Sequence, residues 1–212
     1  MRASDRAADD HLLSMVTQSH GDQPPNGGGE ARPQGSDPTP GSAPESAERR
    51  YDMRIDRDGQ WHHEGRPIAR APLVKLFASV LKKRDDGYWL ETPVERGRIE
   101  VEDVPFVMVE LKVADIGRHQ TISLRSNLDE WVAIGSDHPL LLRQPPHASP
   151  KNVSAPTVSI PYVIVRSGLE GRLSRPVYYE LADLGEPHRL DGVTRYGVWS
   201  QEQFFALDEQ PV

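Results

Sequence analysis

The stretch Asp58–Ile68, DGQWHHEGRPI, sets His62, His63 and Glu64 in succession. On an extended strand His62 and Glu64 share one face, and the pair would supply two ligands to a divalent metal. A third would have to come from His119, His138 or Asp103, and no spacing ties these to the pair. HExxH is absent, as is HxE combined with PCxxC, the arrangements that turn such residues into zinc enzymes. No metal and no cofactor are assigned. The imidazoles are expected to hydrogen-bond at the rim of a hairpin.

The acids of RGRIEVEDVPF include Glu102 and Asp103. With His138 nearby in a turn they would suit a small hydrolase if burial raised one carboxyl pKa. A solvated strand face with cross-strand ion pairs explains the same residues. Asn127, Asp129, Asp137 and His138 fall at predicted turns, where Asx side chains usually cap. Arg66 and Arg175 each precede a proline ahead of a predicted helix. With helix N-terminal N–H groups they would form two matched anion sites. GxSxG, GxGxxG and GxxxxGK[ST] are all missing, so no catalytic residue is assigned.

The elements that would position these groups follow from periodicity. Asp58-Gly59 predicts a type I′ hairpin. APLVKLFASVLKK carries Leu73, Leu76, Phe77, Val80 and Leu81 on one helical face, with Pro72 near the start. Strands follow through GYWLET, GRIEVE, VPFVMVELKV, QTISLRS, EWVAIG and PLLLRQ. After a polar loop from Pro145 to Pro156 comes TVSIPYVIVRS, whose Pro161 predicts an edge or a bulge. SRPVYYELADLG predicts a second helix, capped by Ser174 and stopped at Gly185, and RYGVWS a last strand. SQEQFFAL predicts a short C-terminal helix, with Ser200 and Gln203 as a capping box.

Arg57–Ile68 and Arg166–Val177 share Arg, Gly, Arg, Pro and a β-branched residue at a constant offset. This internal repeat predicts a duplicated strand–turn–strand–helix unit. The fold class expected is α+β, two related halves at 51–115 and 116–212. Residues 1–50 form a separate tail. Six Pro and six Gly between Gly21 and Arg50, with no aromatic, predict disorder there. An amphipathic helix within Ser4–Gln18 would be marginal alone.

The 212 residues include no cysteine, which excludes disulfides and thiolate chemistry. A formal charge of −7 argues against nucleic acid as a partner. No apolar run is long enough for a signal core or a membrane span, so the expected location is cytoplasmic.

DGQWHHEGRPIARAPLVKLF, YWLETPVERGRIEVEDVPF, HPLLLR, PYVIVRSGLEGRLSRPVYYEL and GVWSQEQFF together resemble the bacterial family termed domain of unknown function 1285. The resemblance covers Met53 to Leu207. It implies two related α/β halves and a role in signal transduction or ligand binding, and it transfers no catalytic residue. In that family the positions after the tryptophan tend to be aromatic, whereas here they are His62 and His63.

The function expected is a non-enzymatic binding module for a small anionic ligand or a protein partner. Its site would use Trp61, Arg66, His138 and Arg175. A small hydrolase using Glu102, Asp103 and His138 is the alternative.

Overall fold

The computed structural model describes residues 49–115, 117, 119–144 and 159–208. Most of the predicted tail and the loop from Pro145 to Pro156 lie outside them. Arg49 and Arg50 open the first strand.

The first sheet is built from β1 (Arg49–Ile55), β2 (Trp61–His63), β3 (Arg66–Pro67), β4 (Leu81–Arg84), β5 (Gly87–Glu91) and β6 (Arg96–Val101). Helix α1 (Ala71–Ser79) lies between β3 and β4 in the chain. The strand order is β3-β2-β1-β6-β5-β4. Two three-stranded antiparallel ribbons meet where β1 and β6 run parallel.

The second sheet contains β7 (Phe106–Ala114), β8 (Thr121–Ser126), β9 (Trp131–Ala133), β10 (Leu140–Arg143), β11 (Ile160–Arg166) and β12 (Leu169–Leu173). Its order is β10-β11-β12-β7-β8-β9, with β12 parallel to β7. That is the same topology: the first and last strands of each set lie side by side, and every other pair is antiparallel. The break between the sheets falls between Val101 and Phe106, so 106–114 is the first strand of the second sheet. Helix α2 (Arg175–Asp183) and a third sheet, β13 (Glu186–Leu190), β14 (Val193–Ser200) and β15 (Gln203–Ala206), complete the described chain.

The described residues are mostly β, with two nine-residue helices among them. The repetition is between whole sheets and does not follow the sequence echo. Arg175-Pro176 opens α2, whereas Arg66-Pro67 is β3, and the counterpart of Pro176 in the first turn of a helix is Pro72. The echo at Arg66 and Arg175 is therefore not a shared helix entry.

Local predictions hold where periodicity is strong and fail where a turn decides. Helix α1 stops at Ser79 because Leu81–Arg84 pairs with Gly87–Glu91. Ser174 sits at the N-cap in an extended conformation, with its carbonyl accepting from Tyr178 N–H at 2.9 Å and its side chain making no cap bond. β11 is an interior strand, and Pro161 stands at its start, before the pairing with β12 begins at Tyr162. The predicted C-terminal helix is instead the β14–β15 hairpin. Gln201 and Glu202 turn it with φ of 51° and 62°, and Ser200 pairs with Gln203. Two consecutive positive φ values make the tight primed turn that suits twisted strands, and the aromatic pair Phe204-Phe205 favours a strand.

Alternation sorts the faces. β8 and β12 bury every second residue, as does most of β6. One apolar core joins both sheets and the helices, drawing in Met53, Ile55, Phe77, Phe106, Leu124, Leu181 and Val198 among others.

Candidate binding cleft

The β1–β2 hairpin closes through Asp56–Gln60. Asp56 N–H donates to the Gln60 carbonyl and Gly59 N–H to the Asp56 carbonyl, both at 3.0 Å. Only Gly59 has positive φ, 76°, so the predicted type I′ turn at Asp58-Gly59 is a wider loop. Consecutive positive φ values occur instead at Glu64 (49°) and Gly65 (73°). Glu64 is therefore at a turn tip and does not share a strand face with His62, which removes the metal-ligand pair. Among the described residues no three His, Cys, Asp or Glu side chains are grouped to hold a metal ion.

The Asp56 carboxylate organises this loop. Its Oδ1 accepts from the N–H groups of Asp58 and Gln60, each at 3.0 Å. Its Oδ2 lies 2.9 Å from His62 Nε2. Burial would raise the Asp56 pKa, but the hydrogen bonds from His62 and the two backbone donors outweigh it and hold the carboxyl below its ordinary value. With Nε2 donating to a carboxylate, His62 Nδ1 is the ring's remaining polar atom. It is buried and makes no hydrogen bond among the described residues.

His62 faces away from the core. It stands opposite Arg54 on β1, and Arg54 stands opposite Glu100 on β6. Arg50, Asp52 and Arg54 alternate along that same outer face. Together with Gly65 and the β1 backbone these side chains line a cleft of about 420 Å³. Arg54 is held by Glu102, which also accepts from Arg57 N–H at 3.1 Å. The Arg50 side chain is exposed and makes no hydrogen bond or ion pair among the described residues. The cleft thus offers one uncommitted guanidinium and one imidazole with a spare nitrogen, beside two carboxylates, Asp52 and Glu100.

The residues predicted for binding do not converge. Trp61 is 1% exposed and stacks on Phe77 with ring centroids 6.2 Å apart, so it is core. Arg66 is exposed and follows Gly65 at the cleft's edge. Arg175 is exposed at the start of α2. His138 is fastened to the second sheet by Nδ1, 3.0 Å from the Ile164 carbonyl.

The acid–histidine set is also dispersed. Glu102 belongs to the Arg54 contact and His138 to β11. The Asp103 side chain, only 4% exposed, sits in the link between the sheets. There it accepts from the Tyr162 hydroxyl and lies 3.7 Å from Arg143 and 3.5 Å from Arg172. Glu170 joins Arg143 at 2.8 Å and Lys83 at 3.8 Å, which ties this cluster to β4. Tyr88, on β5, is pushed up to about 12 by burial and by the nearby Glu170. Asn127 and Asp129 serve as ties: Asn127 donates to the Gly59 carbonyl at 3.1 Å, and Asp129 meets Lys75 at 2.6 Å and Arg125 at 2.8 Å.

The Asp56–His62 contact has no signature in the sequence, although both residues lie in the same predicted hairpin. Nor does Asp103 show as a junction there, because its partners lie 40 to 69 positions further along the chain.

The link that carries Asp103 is also where two family models meet. The N-terminal domain of DUF1285, a domain of unknown function, matches 42–104, and the C-terminal domain of the same family matches 105–207. The chain belongs to the DUF1285 family. A DUF1285 family protein from Silicibacter pomeroyi DSS-3 is similar in crystal structure, with 40% identity and a TM-score of 0.65. The match covers 74% of this chain and 80% of that one. A DUF1285 family protein from Shewanella baltica OS155 is 25% identical with a TM-score of 0.48, over 63% of this chain and 91% of that one. A comparison with curated proteins found no match. No described helix is long and apolar enough to cross a membrane.

Proposed function

We propose that this DUF1285 protein is a non-enzymatic binding module whose site is the cleft on the outer face of the first sheet. A small anionic ligand is held there by Arg50 and by His62, with Arg66 at the edge. The observation that carries this reading is that the unpaired Arg50 and the His62 ring, fixed at Nε2 by Asp56, line one cleft. A carboxylate at Nε2 fixes the plane of the His62 ring, and the free Arg50 guanidinium supplies a planar fork suited to carboxylate or phosphate oxygens. The volume is that of a small-metabolite site.

Binding is favoured over catalysis because Glu102, Asp103 and His138 sit in three separate networks, and acid–base catalysis requires them within hydrogen-bond reach. The test is a thermal-shift panel of inorganic phosphate, pyrophosphate, citrate and nucleoside phosphates against NaCl at matched ionic strength. One of these anions raises the Tm of the wild type, and the combined Arg50→Ala and His62→Gln changes abolish the rise. An equal rise in that variant would overturn this siting. A rise lost only on changing Arg66 and Arg175 together would move the site to those arginines.

A further inference from the structure

The outer face of the first sheet extends well beyond the cleft. Cross-strand register places Lys82 opposite Trp89, Trp89 opposite Arg98, and Arg98 opposite Arg50. These four residues form one row across β4, β5, β6 and β1, roughly 15 Å long at the usual strand spacing. Lys82, Arg98 and Arg50 are exposed. Arg84 and Arg96 flank the row, each with its guanidinium carbon 6.0 Å from the Trp89 ring centre.

Trp89 lies outside the apolar core, yet it is only 3% exposed. The arginines cover it on the outer side, and its Nε1 donates to Asp86 at 3.0 Å. Of the five cations, Arg84 is paired with Glu91 and Arg98 donates to the Asp86 carbonyl. Lys82, Arg96 and Arg50 make no ion pair among the described residues. A protein of net charge −7 thus carries a concentrated cationic face with an aromatic floor.

Residues 1–48 contain eight acids, Asp5, Asp9, Asp10, Asp22, Glu30, Asp37, Glu45 and Glu48, against three bases, Arg2, Arg6 and Arg32. This segment joins the fold at Arg49, the first residue of β1. β1 is parallel to β6, and Arg49 stands beside Gly97, between Arg96 and Arg98. The acidic segment therefore leaves the sheet next to the cations. A dozen residues of extended chain span roughly 40 Å, more than the length of the row. Tethering at that point gives any acidic stretch a high effective concentration over the face.

We propose that the acidic N-terminal segment, residues 1–48, docks in cis on the row formed by Lys82, Arg98 and Arg50 with Arg96 beside it. Carboxylates pair with the guanidinium groups, and the covered Trp89 keeps the arginines flat against the sheet. Arg50 belongs to both the row and the cleft, so a bound anion and the segment compete there, while Lys82, Arg96 and Arg98 serve the docking alone.

The chain has no cysteine, so a single Ser36→Cys change in the full-length protein takes one spin label. Amide signals are then compared between the oxidised and reduced label. At about 0.02 M salt the label removes intensity from amides 82, 89, 96 and 98 and leaves the third sheet, 186–206, unaffected. The loss disappears at about 0.5 M salt, where the screening length is only a few Å. It also disappears when Arg96→Glu and Arg98→Glu are combined, and the spectrum of that variant shows whether it is folded. Loss spread equally over the three sheets, loss that survives both salt and charge reversal, or no loss at any amide would each contradict docking on this face. The salt comparison needs no charge variant, so the proposal stays testable if that variant does not fold.

Discussion

The Tyr162 hydroxyl donates to the Asp103 carboxylate, 3.2 Å from each of its oxygens, and so fastens the link between the two sheets to β11 of the second. Asp103 is nearly enclosed, between Arg143 and Arg172. Arg143 lies over the Tyr162 ring, 3.9 Å from its centre, and Arg172 donates onward to the Arg57 carbonyl in the first hairpin. One carboxylate thus helps to set how the sheets meet.

Removing that carboxylate leaves two close cations without their shared partner. Asp103→Ala is expected to destabilise the protein by about 3 kcal/mol, near the low end for a broken buried pair because both arginines are partly exposed. Tyr162→Phe removes one hydrogen bond and is expected to cost about 1 kcal/mol. Urea unfolding measures both, and the loss for Asp103→Ala should exceed that for Tyr162→Phe.

Gly59 and Gly65 have nearly the same positive φ, 76° and 73°, in different surroundings. A Cβ at Gly59 would lie 2.6 Å from Asn127 Nδ2 and 3.1 Å from Val107 Cγ2, while a Cβ at Gly65 meets nothing within 4 Å. Gly65→Ala is expected to cost about 1 kcal/mol, from left-handed strain alone. Gly59→Ala should cost more, about 2–3 kcal/mol, because it also pushes the hairpin tip off the second sheet. Equal losses in chemical denaturation would mean that this contact between the sheets is unimportant.

Trp61→Ala separates a core role from a binding role. The ring is buried against Phe77, so its loss is expected to cost about 3–5 kcal/mol. Anion affinity of the remaining folded protein should be unchanged. A variant of wild-type stability with lost affinity would return Trp61 to the site.

Asp56 gives a pH signature with a definite sign. Its folded pKa is depressed, so its contribution to stability is present above the unfolded value of about 3.9 and is lost as pH falls through the lower folded value. At pH 7 Asp56→Asn should be less stable than the wild type by about 1 kcal/mol, the worth of the hydrogen bonds it weakens. The gap should narrow below about pH 4 as the wild type takes up its proton. A gap that stays constant down to about pH 2 would show that Asp56 is not held by His62 and the loop N–H groups.

What the sequence reveals here is local. The helical face of Leu73 and Phe77, the period-two strands and the interruption by Gly and Pro are set within a few residues, and these elements appear where expected. The parallel pairings β1–β6 and β7–β12 are set by the core and by distant strands, which no window of sequence contains. The last hairpin was hidden because Gln201 and Glu202 take up positive φ without a glycine. The arginine row was hidden for another reason: Lys82, Trp89, Arg98 and Arg50 come from four segments, and only the register aligns them. Even His62 yields its meaning only with Asp56, six residues earlier and across the loop.

The most direct test of the cleft is an amide NMR titration of the wild type with inorganic pyrophosphate at constant ionic strength. The account predicts shifts concentrated at residues 50–54, 62–65 and 100, absent when Arg50→Ala and His62→Gln are combined. Shifts concentrated around His138 or Arg175, or none at any concentration that raises the Tm, would contradict it.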